Sequence, residues 1–338
     1  AAAAWWLRLR HVAWVHVLVI AIAAAYGAAR LAFPEPEGGG SLKVGLVQGN
    51  VAEEEKWDPS RAPAIFAAHL EATRRAAAAG ARLVVWPESS VPSPLLSSPG
   101  YLEALELLAK NLDVDLLVGS VHYERRGEPG ERTYNSAFLI SGRGRPIERY
   151  DKVHLVPYGE YVPLRRYLGF ADKLVVEASD FTPGDRPRAL SGAGVTLGPL
   201  VCFEAIFPSL ARSVALEGAQ LLVNLTNDAF LGDSAGPRQH LALAAIRAVE
   251  NRRYLVRAAN TGISAVVDDR GRVLQSLDYG RAGILVADVP LSARLSIYTR
   301  VGDAAGWLCV ILSALAPFAP IPSGGRSWMK SYFDATPR

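Results

Sequence analysis

The chain has 338 residues, half of them apolar, and a net charge of +3 with lysines and arginines spread along its length. That is ample material for one large core or two ordinary ones, and it excludes a disordered chain. No basic tract is dense enough to neutralise a nucleic-acid backbone, two cysteines make no disulfide framework, and the six histidines show no zinc-ligand spacing. Nucleic acid, a structural metal and other cofactors are therefore not expected.

The first apolar segment, His11 to Ala29, runs 19 residues without Asp, Glu, Lys or Arg, which suits a helix crossing a hydrocarbon core. Trp5, Trp6 and Trp14 suit an interface, with Arg8 and Arg10 on the N-terminal side. Residues 1–32 are expected to be a transmembrane helix and its flank; the rival is a secretory signal peptide with small residues from Ala23 to Ala29. Either would export the remainder of the chain. Met329 is the only methionine, so the sequence is expected to be processed or cut from a longer one. The stretch FPEPEGGGS, Phe33 to Ser41, reads as a linker from its Pro and Gly content.

From Leu42 to about residue 298, short β-rich runs alternate with helical patterns. Strands are expected over Lys43–Asn50, Arg82–Glu88, Asp115–Tyr123, Asn135–Ser141, Val195–Glu204, Gln220–Asp228, Tyr254–Thr261, Ile263–Asp269 and Gly283–Val289. Helical patterns cover Arg61–Ala79, Tyr101–Leu112, Ser209–Glu217 and Arg238–Asn251. Many strand runs are apolar on consecutive residues, as in strands covered on both faces. The expectation is an α/β or layered α+β domain over residues 42–298.

The last apolar segment, Ala304 to Pro322, precedes Arg326, Lys330 and Arg338. Pro317, Pro320 and Pro322 leave about 13 unbroken helical residues, so a buried helix competes with a second span there. A transmembrane helix and cytoplasmic tail are expected over residues 299–338. With both segments across, the positive flanks place the termini in the cytoplasm and the middle of the chain outside it.

Three polar residues stand where apolar runs stop, which is where layered α/β proteins keep their sites: Glu88 in VVWPESS, Lys152 in YDKVHLVPYGEYVP and Cys202 in GPLVCFEAIFP. Singly, each has an ordinary explanation: a turn carboxylate, a surface lysine, a core thiol. Together they make chemical sense. A thiol is only a few per cent ionised at neutral pH, so a cysteine nucleophile needs a base and a cation. Glu88 is suited to the first role and Lys152 to the second, with the N–H after Cys202 helping to hold an oxyanion. His154 and His240 are alternative bases, but the sequence offers neither an obvious orienting partner.

Glu88, then Lys152 64 residues on, then Cys202 50 residues further, each at a strand end, resembles the nitrilase superfamily and, within it, the apolipoprotein N-acyltransferase family. LVQGNVAEEEKWDP, WPES, YDKVHLVPYGEYVP, VCFEAIFP and NDAFLGDSAGPRQH carry the resemblance along the whole chain. It implies an αββα sandwich flanked by transmembrane helices, outside the cytoplasmic (inner) membrane on the periplasmic or extracytoplasmic side. It also implies an enzyme, monomeric and free of cofactors. The partners would be the bilayer, a phospholipid acyl donor and a diacylated lipoprotein whose N-terminal amine accepts the chain.

By that resemblance Cys202 carries the acyl chain as a thioester, Glu88 is the general base and Lys152 stabilises the transition state. Glu160 and Glu204 match supporting acidic positions; taken alone, Glu160 is a loop carboxylate anchoring a turn after Gly159, and Glu204 an ion-pair partner that only orients Lys152, a reading compatible with the first. Trp57 and the loop Phe230 to Gly236 match positions near the mouth. Phe203 stands where the family often has tyrosine, which keeps ring packing but loses a hydroxyl. The family normally carries more membrane helices before this domain, so a fragment or an unusually short protein is expected. The competing functions are an exported nitrilase-like amidase, and a catalytically silent, membrane-anchored binding module. The apolar stretches Pro92–Leu102 and Tyr167–Val176 are either lipid-touching loops or loops packed on the core.

Overall fold

The computed structural model describes residues 2–33, 39–163 and 180–315. They belong to two compact units, Glu37–Gly302 and the terminal segments Ala1–Pro36 with Asp303–Arg338. The first half of the described chain runs α1 (Ala2–Ala32), β1 (Ser41–Gln48), α2 (Glu53–Lys56), α3 (Ala62–Ala78), β2 (Leu83–Val85), α4 (Pro99–Leu112), β3 (Asp115–Glu124), β4 (Arg132–Ile140) and β5 (Glu148–Asp151). The second half runs β6 (Leu190–Gly192), β7 (Val195–Val201), α5 (Pro208–Leu216), β8 (Leu221–Thr226), α6 (Gly236–Asn251), β9 (Tyr254–Ala259), β10 (Ser264–Val267), β11 (Val273–Leu277), β12 (Gly283–Pro290), α7 (Ile297–Val301) and α8 (Ala304–Leu315).

The larger unit holds two six-stranded sheets, ordered β12-β1-β2-β3-β4-β5 and β11-β10-β9-β8-β7-β6. Each has a parallel centre, β1-β2-β3 in one and β7-β8-β9 in the other, flanked by antiparallel strands. The consecutive apolar residues divide between two interfaces. Leu42, Val44, Leu46, Leu83 and Val85 cluster with Leu197, Leu221, Val223 and Val256 between the sheets. Their neighbours Val84, Leu116 and Val118 pack outward with Phe66, Ala76, Leu105 and Ala109 of α3 and α4. Leu222 and Leu255 pack with Val214, Leu241 and Ala244 of α5 and α6. Four layers result, helices, sheet, sheet, helices, which is the αββα sandwich that the family resemblance implies.

The short strands β5, β6 and β11 were not expected. The first is polar (ERYD), the second has three residues, and the third is a mostly exposed edge. None has the apolar alternation that marks a half-buried strand. Pro92–Leu102 is packed on the core through Leu95, which is fully buried, while Leu96 faces solvent.

In the terminal unit α1 has 31 residues and exposes Trp14, Val17, Leu18, Val19 and Ile20. The described part of α8 covers 12 residues, Ala304–Leu315. Among the described residues no helix is long and apolar enough to cross a membrane, so the two flanking spans expected over residues 1–32 and 299–338 find no support there. Arg10 and Arg30 bracket an apolar stretch of α1 that His11 and His16 interrupt. The end of the second expected span, its tail and the stretch Tyr167–Val176 lie outside the described residues.

Candidate active site

Glu88 lies in the turn just beyond β2, Lys152 follows the last residue of β5, and Cys202 follows the last residue of β7. All three are buried, at 7, 1 and 3 % exposure. The turn carrying Glu88 presses onto β3 at Gly119, where a Cβ would sit 2.4 Å from Pro87 O and 2.7 Å from Glu88 Cα. Only glycine leaves room for that approach.

Lys152 Nζ is 2.8 Å from Glu160 Oε2 and 3.6 Å from Glu88 Oε1. Asn135 on β4 joins the two carboxylates, its Nδ2 donating to Glu88 Oε1 at 2.7 Å and to Glu160 Oε1 at 2.9 Å. The other oxygen of Glu88 accepts from the Asn227 N–H at 2.9 Å, and Glu160 Oε2 accepts from the Val156 N–H at 2.8 Å. Burial pulls Lys152 down, but the negative charges of Glu88, of Cys202 when it ionises, and of Glu160 outweigh it and hold the ammonium above its ordinary range. Lys152 is thus a fixed cation, clamped between two carboxylates.

Cys202 sits in the left-handed region, at φ +52°, a conformation that costs a side chain with a Cβ. It is the corner where β7 turns into a helical turn over Cys202–Ile206. Burial pushes the thiol up to about 12; Glu88 and Asp228 add to that, while Lys152 and a hydrogen bond from Thr226 oppose it. The resting group is a protonated thiol beside a carboxylate and an ammonium.

Glu204 braces both strand ends. Fully buried, it accepts from the N–H groups of Val153 (2.7 Å), His154 (3.1 Å) and Val201 (2.8 Å) and from the Tyr150 hydroxyl at 2.9 Å. Its hydrogen bonds thus go to the Tyr150 hydroxyl and to the backbone beside Lys152 and Cys202, in place of the ion pair with Lys152 that was one of its two expected roles. Its burial raises it above the usual carboxylate range.

Behind Cys202 lies a second polar network. His240 Nδ1 is 3.0 Å from Asp228 Oδ1, and Asp228 Oδ2 is 2.6 Å from Arg257 Nη2, with Asp228 and Arg257 both fully buried. The expectation that His240 lacks an orienting partner is therefore overturned, since Asp228, twelve residues away, is brought to it by the turn after β8. His240 nevertheless faces the Cys202 carbonyl, 3.1 Å away, rather than the reacting side of the residue. Burial and the nearby Lys152 charge lower His154, whose ring packs on Phe207 at 3.8 Å and, more distantly, on Phe203 at 6.2 Å. Phe203 meets Phe207 edge-on at 5.2 Å, so its ring serves packing.

Trp57 is 57 % exposed, its indole N–H held by Glu53 Oε1 at 2.9 Å. Glu53 Oε2 accepts from Asn227 Nδ2 at 2.7 Å, tying the Trp57 segment to the residue whose N–H holds Glu88. Lys56, buried next to Trp57, donates to the Glu88 carbonyl at 3.3 Å. Phe230, in the Phe230–Gly236 loop, is 70 % exposed. Among the described residues no group of His, Cys, Asp and Glu side chains is placed to hold a metal ion.

The family described as "Carbon-nitrogen hydrolase" matches residues 43–296, three quarters of the chain. The chain belongs to the carbon-nitrogen hydrolase family. Within the nitrilase superfamily it is similar to the apolipoprotein N-acyltransferase of Geobacter metallireducens, at 43 % identity over 89 % of this chain and 58 % of that one. The enzyme of the same name from Brucella melitensis biotype 1 is 40 % identical over 83 % of this chain and 53 % of its own. The chain thus spans little more than half the length of these relatives. Among solved structures, a mutant of the amidase from Nesterenkonia sp. AN1, with the acetamide moiety of fluoroacetamide covalently added at its active site cysteine, matches at a TM-score of 0.55. It is 26 % identical over 75 % of this chain and 92 % of that one.

For a carbon-nitrogen hydrolase, the residues singled out from sequence sort clearly. Glu88, Lys152, Cys202 and Glu160 share one polar cluster, Glu204 supports it from below, and Trp57 and Phe230 stand in exposed loops. Asn135, Asn227, Lys56 and the Asp228–Arg257–His240 group were not singled out for these contacts. NLTND after an apolar run was the one signal for Asn227 and Asp228, a second strand end like that of Cys202.

Proposed function

We propose that the chain is a cysteine-dependent N-acyltransferase that takes an acyl chain from a phospholipid ester and passes it to the N-terminal amine of a diacylglyceryl-cysteine lipoprotein. The observation that carries this reading is the Glu88–Lys152 pair, 3.6 Å apart and acting electrostatically in opposite senses on the Cys202 thiol. The names of the relatives supply the substrate class. Apolar side chains exposed at Trp57 and Phe230 are consistent with lipidic substrates, and those on α1 and α8 with an anchor in the inner membrane, the catalytic unit lying outside the cytoplasm.

In the first half-reaction Glu88 takes the thiol proton as sulfur attacks the ester carbonyl carbon. The oxyanion is met by Lys152 and the Phe203 N–H. The C–O bond then breaks and the departing lysophospholipid oxygen recovers the proton from Glu88. In the second, the neutral amine attacks the thioester, Glu88 takes a proton from nitrogen, and as the C–S bond breaks Glu88 passes that proton to the departing sulfur, which restores the thiol and the carboxylate. A thiol held near 12 suits this order, because the proton moves only as the S–C bond forms.

The test is to incubate the protein with phosphatidylethanolamine vesicles and read its intact mass. We expect a hydroxylamine-labile acyl adduct, absent in Cys202→Ser, that disappears on adding a diacylated lipopeptide. Hydrolysis of a small amide with no adduct from lipid points instead to an amidase, and neither activity to a silent binding module.

A further inference from the structure

The strained corner at Cys202 is held from behind by side chains with no role in the chemistry above. The Cys202 carbonyl receives His240 Nε2 at 3.1 Å and Asn224 Nδ2 at 3.3 Å. Both donors are themselves fixed. Asn224 also gives Nδ2 to Leu200 O at 2.8 Å, and its Oδ1 accepts from Arg257 Nη1, so the amide has one orientation. His240 Nδ1 lies 3.0 Å from Asp228 Oδ1 and 3.1 Å from Arg257 Nη2, donating to the carboxylate when protonated and accepting from the guanidinium only when bare, so Asp228 and Arg257 together fix the ring. Asn224, Asp228 and Arg257 are fully buried and His240 is 9 % exposed. Gly262 lets its chain close over this group, since a Cβ there would lie 2.3 Å from Asp228 Oδ2. A carbonyl only accepts, so the geometry assigns the proton to Nε2 of His240.

The Cys202 carbonyl and the Phe203 N–H belong to one planar trans peptide unit and point in opposite directions. Fixing the carbonyl therefore fixes the N–H, and donors on the carbonyl polarise the amide, making the N–H a stronger donor. We propose that His240, held by Asp228 and Arg257, is a positioning residue that works with Asn224 to lock the Cys202–Phe203 peptide so that its N–H faces the oxyanion formed when Cys202 is acylated. This rests on the acyl-transfer reading. It gives His240 a role distinct from a base: it touches neither substrate nor sulfur and acts through the backbone.

Two near-isosteric variants separate the roles. In His240→Gln the terminal amide nitrogen replaces Nε2 and keeps the donor to the carbonyl; in His240→Asn the nitrogen replaces Nδ1 and the donor is lost. Loss of one oxyanion donor typically costs 100-fold or more, and mispositioning it somewhat less. We expect His240→Asn to slow single-turnover acylation of Cys202 about 50-fold with the KM for donor little changed. His240→Gln should stay within about fivefold, and alkylation of both by iodoacetamide, which forms no oxyanion, within about threefold. Equal acylation losses in the two variants, no loss in His240→Asn, or alkylation falling in step with acylation overturns the proposal.

A measurement on the unaltered protein needs no variant to fold. With ¹⁵N-labelled histidine, the His240 ring must show a protonated Nε2; a bare Nε2 overturns the proposal. If the unaltered protein alkylates but forms no acyl adduct, the acyl-transfer reading fails, and the tautomer then decides the hydrogen bond on its own.

Discussion

The Asn135 carboxamide donates to Glu88 Oε1 across 2.7 Å. The same nitrogen donates to Glu160, so both neighbours are acceptors and the amide orientation is determined. Each such bond to a charged partner is worth about 1.5–3 kcal/mol. In Asn135→Asp the donor is gone and a third carboxylate faces the other two. Acylation of Cys202 at neutral pH should fall at least about 100-fold, and single-turnover mass spectrometry reads it directly. Wild-type rates in Asn135→Asp would mean that the pair of carboxylates needs no bridge.

Cys202 gives opposite signs for two neighbouring charges. With the thiol near 12, the thiolate at pH 8 is on the order of one part in ten thousand, so iodoacetamide alkylation should climb steadily from pH 7 to 10 with no plateau near 8.5. The Glu88 carboxylate raises the thiol and Lys152 lowers it. Glu88→Gln should therefore speed alkylation about tenfold while stopping acyl transfer, because the thiolate is easier to form but the base is lost. Lys152→Met should slow both. A plateau near 8.5, or Glu88→Gln slowing alkylation, would contradict this electrostatic account.

Much of this arrangement was legible because the strands are apolar on consecutive residues and stop abruptly at polar ones. Glu88 and Cys202 each end such a run, as the rule that sites gather at strand ends expects, whereas Lys152 follows the polar strand β5 and stood out through the stretch YDKVHLVPYGEYVP. Asn135 was inside a strand run, where a buried asparagine gives no sign of which carboxylates it will meet. His240 and Asp228 lie twelve residues apart, with a turn and the start of a helix between them, a juxtaposition that depends on how α6 packs over β8. Apolar length at the termini was legible as composition, but composition does not determine where a helix begins or ends.

Glu204 is a carboxylate with four donors and no solvent, accepting from three backbone N–H groups and one tyrosine hydroxyl. In Glu204→Gln either orientation of the amide turns an NH2 group toward a backbone N–H. Unfolding free energy should fall by about 3 kcal/mol, read from urea denaturation, and Cys202 and Lys152 should both lose definition because Val201 and Val153 are freed together. A loss under about 0.5 kcal/mol would show that these N–H groups find other partners.

Asp228 ties the pH dependence of stability to the network behind Cys202. Burial opposes its ionisation, but Arg257 and His240 outweigh it and hold the carboxyl at about 2, below its unfolded value near 3.9. A depressed acid stabilises the fold above its unfolded pKa and loses that contribution as pH falls through the folded one, so the window is about pH 4 to 2 and the amount about 2.5 kcal/mol. Asp228→Asn removes this proton-linked part and leaves the buried Arg257 charge without its anion, a loss of about 3–5 kcal/mol at pH 7. Urea midpoints at pH 7 and pH 3 should then show the variant much weaker at pH 7 and closer to the unaltered protein at pH 3. A deficit equal at both values would mean that Arg257 is balanced by something other than this carboxylate.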